Sequence, residues 1–492
     1  MADLRNIFNF IPEVTKPEEK KLSFNTKLKW TLVILVAFFV LANVPLYGLS
    51  NNALERFKYL AIILGTDFGS IISLGIGPIV MASIILQLLT GAEILKIDTS
   101  SEEGRKFFQG IQKLLVLFFI IFEALVYVLM QGLQAMPGLA PIVIAQLILG
   151  GLAIFYMDEV TTKWGFGSGV SLFIGAGVSW RLITSAFQFI NQQGENCLLN
   201  FSGTACSGKF FVMIQSIINN APTEFISALA AVLVTAIIFL IIVWVQSLKV
   251  EIPLSFGRIR GYSVKWPLSF FYASVIPVIL TAALIANLQL LGGIVENAAS
   301  ICINPEIASN ITNATISEGC TGIAKVSSYF TFLGHFINGQ AVSGFAFWLG
   351  STDILQLTLK GGFLWIYLLQ SITHIFFFVL FSTVFAIFWV KTSGMDSKAQ
   401  ANKIAASGLQ IAGFRQDNRV LESILDRYIM PLTVMGGIAV GLLAAISDLL
   451  GALVGGTAIL LVIMIMFQFY QNIAKEHQVD MNPSVRKFIS GA

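Results

Sequence analysis

Few residues of this 492-residue chain are suited to catalysis or to metal binding. The three histidines, His335, His374 and His477, are far apart, and none has a partner at the spacing of a zinc site. The run GFGSGV from Gly165 is only superficially like a dinucleotide-binding loop, because no strand precedes it and its third glycine is misplaced. A P-loop is absent, so any energy-driven process would depend on a partner or a gradient. The sequence therefore predicts neither an enzyme nor a cofactor.

Two segments of the chain combine cysteines with Asn-x-Ser/Thr sequons. In an oxidising compartment the two cysteines of each segment would be able to form a disulfide. The sequons are candidate glycosylation sites, although many sequons are never used. The cysteines are Cys197, Cys206, Cys302 and Cys320, and the sequon asparagines are Asn200, Asn310 and Asn313.

Glu123 is the clearest ionisable residue within the apolar segments, and Asn287 is a notable polar residue in a later one. A carboxyl group inside a membrane is a candidate functional group, but a single glutamate that bonds to a neighbouring helix is often structural. Both interpretations of Glu123 stay open.

The composition requires a membrane as the solvent of these segments. The chain is 56% hydrophobic and 12% charged, with a mean hydropathy of +0.81. A soluble core cannot bury that much apolar surface. Runs long enough to span about 30 Å of hydrocarbon as helix recur along the whole chain. They lie near 30–48, 108–130, 140–157, 168–190, 222–247, 268–293, 362–390, 429–447 and 451–472, and 54–91 is an irregular tenth candidate.

The positions of the charges, cysteines and sequons agree on one orientation. With the basic N-terminal segment in the cytoplasm and ten crossings, roughly four in five basic residues fall on the cytoplasmic side. The same threading places all four cysteines and all three sequons in two exterior loops. We therefore expect a multi-pass protein of the plasma membrane with both termini in the cytoplasm.

Residues 54–91 are unsuited to one regular helix, because glycines and Pro78 interrupt the middle. Two complete crossings would reverse every later loop. The piece from Ile76 to Gly91 is about 16 residues, or roughly 24 Å of helix, so 54–66 must be re-entrant. Non-helical backbone at this depth needs surrounding protein or a water-filled cavity. The alternative is an interfacial helix that begins near Glu55.

Nine strings stand out in order along nearly the whole chain. They are IPEV, KLKW, LGIGPIVMASIILQLL from Leu74, FQGIQKLL from Phe108, YMDEVTTKWGFGSGVSLFI from Tyr156, VEIPLSFGRIRG from Val250, IPVILTAALIANLQL from Ile276, GLQIAGFR from Gly408 and GALVGGTAILL from Gly451. Together they resemble the SecY family of protein-conducting translocons in its archaeal form. The resemblance implies an all-α polytopic membrane protein with ten transmembrane helices, in two inverted five-helix halves, and a re-entrant plug helix.

The resemblance divides the chain into two halves joined by a hinge. The expected divisions are a cytoplasmic segment 1–29, a first half 30–190 with a plug at about 54–68, an exterior hinge loop 191–221, a second half 222–472 and a cytoplasmic tail 473–492. Within the second half we expect an exterior loop 294–360 and cytoplasmic loops 248–266 and 390–428.

The resemblance also implies an hourglass pore whose waist is a ring of six aliphatic side chains. On sequence alone, aliphatic residues at such spacing are more typical of ordinary helix packing. Only the family resemblance supports their interpretation as a ring. The ring would be Ile76, Val80, Val170, Ile174, Ile279 and Leu461, and the plug would include Leu60, Ile62, Ile63 and Leu64.

A side opening toward lipid is implied between spans two and three and spans seven and eight. Glu123 and Asn287 match two members of the family's polar cluster on this seam. The third position, a threonine in the family, is Met81 here, although nearby Ser83 is a possible substitute.

The implied partners are a ribosome, signal-bearing nascent polypeptides, the lipid bilayer and two small membrane subunits, SecE-like (gamma) and SecG- or Sec-beta-like. Arg258, Arg260 and Arg415 fall where the family docks ribosomes, and arginine suits phosphate contacts. The competing functions are a secondary transporter of a small solute, which would need polar groups at the midplane, and a polytopic membrane enzyme.

Overall fold

The structure is a computed structural model in which the chain is a helical bundle with small sheets at its ends. It describes residues 12–18, 22–52, 68–91, 94–95, 97, 102–130, 132–189, 196–197, 206–256, 263–273, 276–299, 301–303, 314–316, 324–326, 332–337, 340–406, 409–411 and 418–480.

Among the described residues, the first half of the chain contains six helices and one two-stranded sheet. In chain order these are α1 Phe24–Ala42, β1 Leu49–Asn52, α2 Gly77–Gly91, α3 Glu102–Leu129, β2 Leu133–Ala135, α4 Ala140–Trp164, α5 Gly169–Phe187 and α6 Lys209–Ile218.

In the described part of the second half there are eight helices and eight short strands. These are α7 Pro222–Gln246, β3 Lys249–Phe256, β4 Ser263–Ser269, α8 Ile276–Ala299, β5 Ile301–Ile303, β6 Ala314–Ile316, β7 Ala324–Val326, β8 His335–Ile337, β9 Gln340–Ser343, α9 Phe345–Leu349, α10 Ile354–Leu359, α11 Trp365–Thr392, α12 Ser397–Ala406, β10 Leu409–Ile411, α13 Asn418–Leu449 and α14 Gly456–Asp480.

Ten of the described helices correspond to the ten predicted crossings. Nine are long and apolar enough to span a bilayer, and α2 is a shorter apolar helix. The outer surface of the bundle is apolar, since Leu240 and Trp244 on α7 are each 65% exposed. Such large exposed apolar side chains are expected where lipid is the solvent. The fold class predicted from the sequence is thereby confirmed.

The predicted break in the second span is present. α2 has 15 residues, and the chain immediately before it, from Ile71 to Ile76, forms turns rather than helix. Here Gly75 has a φ of +53°, a conformation that side chains disfavour. Close approach by Gly150 of α4 allows the turn to pack, because a Cβ there would lie 1.9 Å from the Ile71 carbonyl oxygen.

The connections outside the bundle contain more regular structure than the sequence indicated. The two cytoplasmic loops predicted at 248–266 and 390–428 are joined by one antiparallel sheet of order β10-β3-β4. Leu409 pairs with Phe256, and Lys249 pairs with Ser269. The exterior loop predicted at 294–360 contains a second sheet, of order β5-β7-β6, and the hairpin β8-β9.

Candidate functional site

The six aliphatic residues expected at the waist belong to one continuous apolar cluster. They come from four elements: the turn before α2 and α2 itself, α5, α8 and α14. Ile76, Ile174 and Leu461 are fully buried, Val80 and Ile279 are 3% and 4% exposed, and Val170 is half-buried and packs against the cluster.

The helices that carry these residues contact one another in the centre of the bundle. α5 packs against α14, and α8 packs against both α2 and α14. The amide of Val80 donates to the carbonyl of Ile76 at 3.0 Å, so these two side chains are one helical turn apart on the same face. The structure therefore brings together four elements that are distant in the chain, with only aliphatic side chains at the predicted ring positions.

The polar residues predicted for the seam are buried, but each has its own environment. Glu123 on α3 faces Gly77, where a Cβ would lie 3.1 Å from its Oε2, and this oxygen has no hydrogen-bond partner among the described residues. Asn287 on α8 donates from Nδ2 to the carbonyl of Ala283 in the same helix at 2.9 Å. In the part of the chain that the structure describes, no hydrogen bond joins Glu123 to Asn287.

Ser83 connects α2 to α3 rather than to α8. Its hydroxyl donates to the carbonyl of Ile79 at 2.8 Å and accepts from Nε2 of Gln112 on α3 at 2.8 Å. Met81, which stands where the family has threonine, packs against the apolar cluster. The bond between Ser83 and Gln112 thus joins α2 to α3 on one side of the predicted seam.

The two sides of the predicted seam are in contact where α2 ends. α2 contacts α11 as well as α8. A Cβ built on Gly91 would lie 2.3 Å from Cδ1 of Phe388, so the ring of Phe388 occupies the space that a side chain would need. No local pattern in the sequence predicts this contact, because Gly91 and Phe388 lie in different halves of the chain.

An ion-pair network, which sequence reasoning missed, fixes the N-terminal segment to α3 and to the end of α4. Oε1 of Glu13 lies 2.9 Å from Nζ of Lys113 and 2.8 Å from Nζ of Lys163. Glu159 accepts from the amide of Val14 at 2.9 Å and also pairs with Lys113. Hydrogen bonds from Lys163 and then Lys113 lower the pKa of Glu13 to about 2.

The predicted exterior sites are described only in part. Cys197 and Cys206 form a disulfide bond. Cys302 lies in β5, while its predicted partner Cys320 lies outside the described residues. Also outside them are the sequons Asn200, Asn310 and Asn313 and the plug residues Leu60, Ile62, Ile63 and Leu64.

The three arginines predicted to contact a ribosome also lie outside the described residues. Arg258 and Arg260 fall between β3 and β4, and Arg415 follows β10. Since β10 pairs with β3, the two loop segments that carry these arginines start from one sheet. A period-two alternation of Val250, Ile252 and Leu254 is the signal that could have predicted β3.

Among the described residues, no group of three or more histidine, cysteine, aspartate or glutamate side chains could hold a metal ion. His374 is buried on α11 with its Nδ1 2.7 Å from the carbonyl oxygen of Leu349. Its Nε2 lies 3.7 Å from Oδ2 of Asp448. This histidine connects elements at the end of α13 and does not reach the cluster of aliphatic ring residues through any described hydrogen bond.

Known proteins share both the sequence and the fold. A family model described as SecY matches residues 70–470. A protein translocase subunit SecY of Methanothermobacter thermautotrophicus is 39% identical over 488 residues, which cover 98% of this chain and 97% of the relative.

Two solved structures have the same architecture. One, described as "The structure of a protein conducting channel", has a TM-score of 0.76 and 34% identity and covers 98% of this chain and 99% of its own. The other, Sec61 in the canine ribosome-channel complex from the endoplasmic reticulum, has a TM-score of 0.72 and 33% identity at the same coverage. By its matched length and its identity to these relatives, the chain belongs to the SecY family.

Proposed function

We propose that the chain is the pore-forming subunit of a protein-conducting channel, which passes secretory polypeptides across the membrane and releases apolar segments sideways into lipid. The observation that carries this proposal is the buried aliphatic set contributed by α2, α5, α8 and α14. This role is non-catalytic, as the names of the similar proteins suggest.

The chemistry of the waist suits a polypeptide of arbitrary sequence. Six aliphatic side chains at a constriction exclude water and ions when no cargo is present. They offer no hydrogen-bond donor or acceptor that would hold one cargo side chain more strongly than another. Secondary transport of a small solute, the competing function, would need polar groups in this position, and the predicted ring supplies none.

The side opening would separate α2 and α3 from α8 and α11. Polar contacts on the first side, such as that between Ser83 and Gln112, stay within α2 and α3. The contact between Gly91 and Phe388 crosses the seam and is apolar. Apolar contacts across a seam are exchanged for contacts with an apolar segment of cargo at little cost, which supports sideways release.

The remaining assignments follow the same proposal. The plug at about 54–68 would close the exterior side of the waist. The segments that follow β3 and β10 would dock a ribosome through Arg258, Arg260 and Arg415, in keeping with the ribosome-channel complex of the canine relative. SecE-like and SecG- or Sec-beta-like subunits would complete the complex in the plasma membrane, with both termini in the cytoplasm.

Crosslinking of a stalled nascent chain tests the proposed function. Photoreactive residues at Ile76 and Ile279 should form adducts with a stalled, signal-bearing nascent chain. A matched probe at Leu240, which is 65% exposed on the outer face of α7, should not. Adducts at Leu240 but not at Ile76 and Ile279, or uptake of a small solute without any nascent-chain adduct, would overturn the proposal.

A further inference from the structure

The two long helices α5 and α14, each carrying a ring residue, begin with the same arrangement. α5 begins at Gly169, and the amide of Val170 donates to Oδ1 of Asp158 at 2.9 Å. α14 begins at Gly456, and the amide of Thr457 donates to Oδ1 of Asp448 at 2.6 Å. In both cases the acceptor lies near the end of the preceding helix, α4 or α13, rather than at the start of the helix that it stabilises.

These aspartates replace the local cap that a helix usually has. The first amides of a helix have no partner within it and need an acceptor. Ser168 stands at the capping position of α5, but its side chain makes no capping hydrogen bond. Asp158 supplies an acceptor instead, and a carboxylate there is also favoured by the helix dipole.

Both helices begin in close contact with the preceding helix. A Cβ on Gly169 would lie 2.6 Å from Cα of Asp158, and one on Gly456 would lie 1.9 Å from the carbonyl carbon of Ser447. Backbone atoms leave no space at either position, so each helix is fixed to its predecessor by a hydrogen bond and by direct packing. The start of each helix is thereby held at one position along the helix axis, relative to the preceding helix of its half.

The ring residues follow at the same distance from these fixed amides. Ile174 is four residues after Val170, and Leu461 is four residues after Thr457. Four residues are about one helical turn, or roughly 6 Å along the axis, and they bring the side chain back to the same face. The segments GVSLFI from Gly169 and GTAILL from Gly456 thus repeat one arrangement in the two halves of the chain.

The two aspartates differ in their other contacts. Oδ2 of Asp448 also accepts from the hydroxyl of Thr457 and lies 3.7 Å from Nε2 of the buried His374. Val170 has no hydroxyl, and Asp158 instead accepts from the backbone amides of Val170 and Gly169 at the start of α5. In the proposed orientation α5 and α14 run in opposite directions, so the two carboxylates hold the ring from opposite sides of the membrane.

We propose that Asp158 and Asp448 are paired positioning residues that set the heights of Ile174 and Leu461 and thereby keep the resting waist closed. Among the described residues, no hydrogen bond joins either aspartate to the side chain of a predicted ring residue. This inference rests on the proposed channel function. Without the carboxylate of Asp158 or Asp448, the start of α5 or α14 unwinds or shifts by part of a turn. This moves Ile174 or Leu461 out of the plane of the other ring residues.

The test is the ion conductance of the resting channel in planar bilayers, measured with the full chain and the subunits that copurify with it. D158A and D448A should raise the resting leak by about 2- to 30-fold, the factor that loss of one capping acceptor implies for the population of frayed helix ends. D158N and D448N should restore a closed channel, because an amide oxygen still accepts from the backbone amide. D426A is the matched control, since Asp426 lies on the cytoplasmic extension of α13 and bonds to Ser397.

Further variants keep the test decisive if an alanine variant fails to accumulate in membranes. D158E and D448E retain the carboxylate on a longer side chain, which displaces the helix start, and should leak more than the asparagine variants. An unchanged leak in the alanine and glutamate variants, with normal nascent-chain adducts at Ile76, would overturn this inference and leave the channel function standing. Absence of adducts at Ile76 and Ile279 in the unmodified chain would overturn the channel function itself.

Discussion

Glu13 shows how a single carboxylate can fix a segment that has no secondary structure. Its oxygen accepts from Lys113 on α3 and Lys163 on α4, although its side chain is 53% exposed. Exposed ion pairs are individually weak, at about 0.2–1 kcal/mol, but here they act together with the buried bond between Val14 and Glu159. The network therefore holds residues 12–18 against two helices of the first half.

The pH dependence of this network has a definite sign. Because the pKa of Glu13 is lowered from 4.5 to about 2, its ionised form is favoured in the folded protein. Its contribution is present above about pH 4.5 and is lost as the pH falls toward 2. We expect hydrogen–deuterium exchange of residues 12–18, corrected for intrinsic rates, to be equally slow at pH 7 and pH 5.

Substitution of Glu13 tests the same network at neutral pH. E13Q should speed exchange of this segment about 2- to 5-fold, the range expected for loss of weak ion pairs. E18Q is the matched control, because Glu18 is exposed on the same segment. Equal protection in E13Q and the unmodified protein at pH 7 would show that the backbone contacts alone hold the segment.

At the scale of elements, the sequence predicted what depends on composition and local pattern. The ten spans, the short second helix after a break and the turn before Gly77 all follow from apolar length and from glycine and proline positions. The extension of α13 back to Asn418 was missed. Its buried residues Leu421, Leu425 and Ile429 recur at four-residue spacing among charges, which a hydropathy argument passes over.

Contacts between distant parts of the chain could not be predicted from local sequence patterns. The pairing of β10 with β3 and the network around Glu13 depend on long-range geometry that no local pattern specifies. The aliphatic ring was named only through the family, since Ile76 or Leu461 alone has the sequence character of ordinary core. The structure places these residues, from four elements, in or against one apolar cluster, and their role as a ring stays a prediction.

The contact between α2 and α11 makes a prediction about the seam. G91A places a Cβ 2.3 Å from Cδ1 of Phe388, so the ring must rotate away or the helices must separate. We expect the distance between spin labels at Leu88 on α2 and Leu380 on α11 to increase by about 2 Å or more, because overpacked interfaces relax by backbone shifts. F388A in the same chain should restore the original distance.

A matched glycine separates this effect from helix propensity. A Cβ on Gly177 of α5 would meet no atom within 4 Å, so G177A should leave the distance unchanged. An unchanged distance in G91A would mean that Phe388 rotates without cost and does not determine the closed seam. If F388A does not restore the distance between the spin labels in G91A, the strain arises from another contact of α2.

At the scale of the whole molecule, α5 and α14 begin in the same way. Each starts at a glycine, donates from its second amide to an aspartate of the preceding helix and carries a residue of the predicted ring one turn later. All six predicted ring residues belong to or pack against one apolar cluster. In the proposed orientation the two aspartates would hold the proposed waist from both sides, so that it would close without a polar contact in its own plane, which suits a polypeptide channel.

The predicted orientation of the chain in the membrane can be determined by labelling with a membrane-impermeant maleimide. The bias of basic residues predicts that the sheet β10-β3-β4 lies in the cytoplasm and that the region of α6 and α10 lies outside. In sealed vesicles with the exterior face outward, cysteines introduced at the exposed Asn219 and Lys360 should react at once. Cysteines introduced at the exposed Lys249 and Lys398 should react only after permeabilisation. The unmodified chain gives the background of the native cysteines, and the reverse pattern would contradict the predicted orientation.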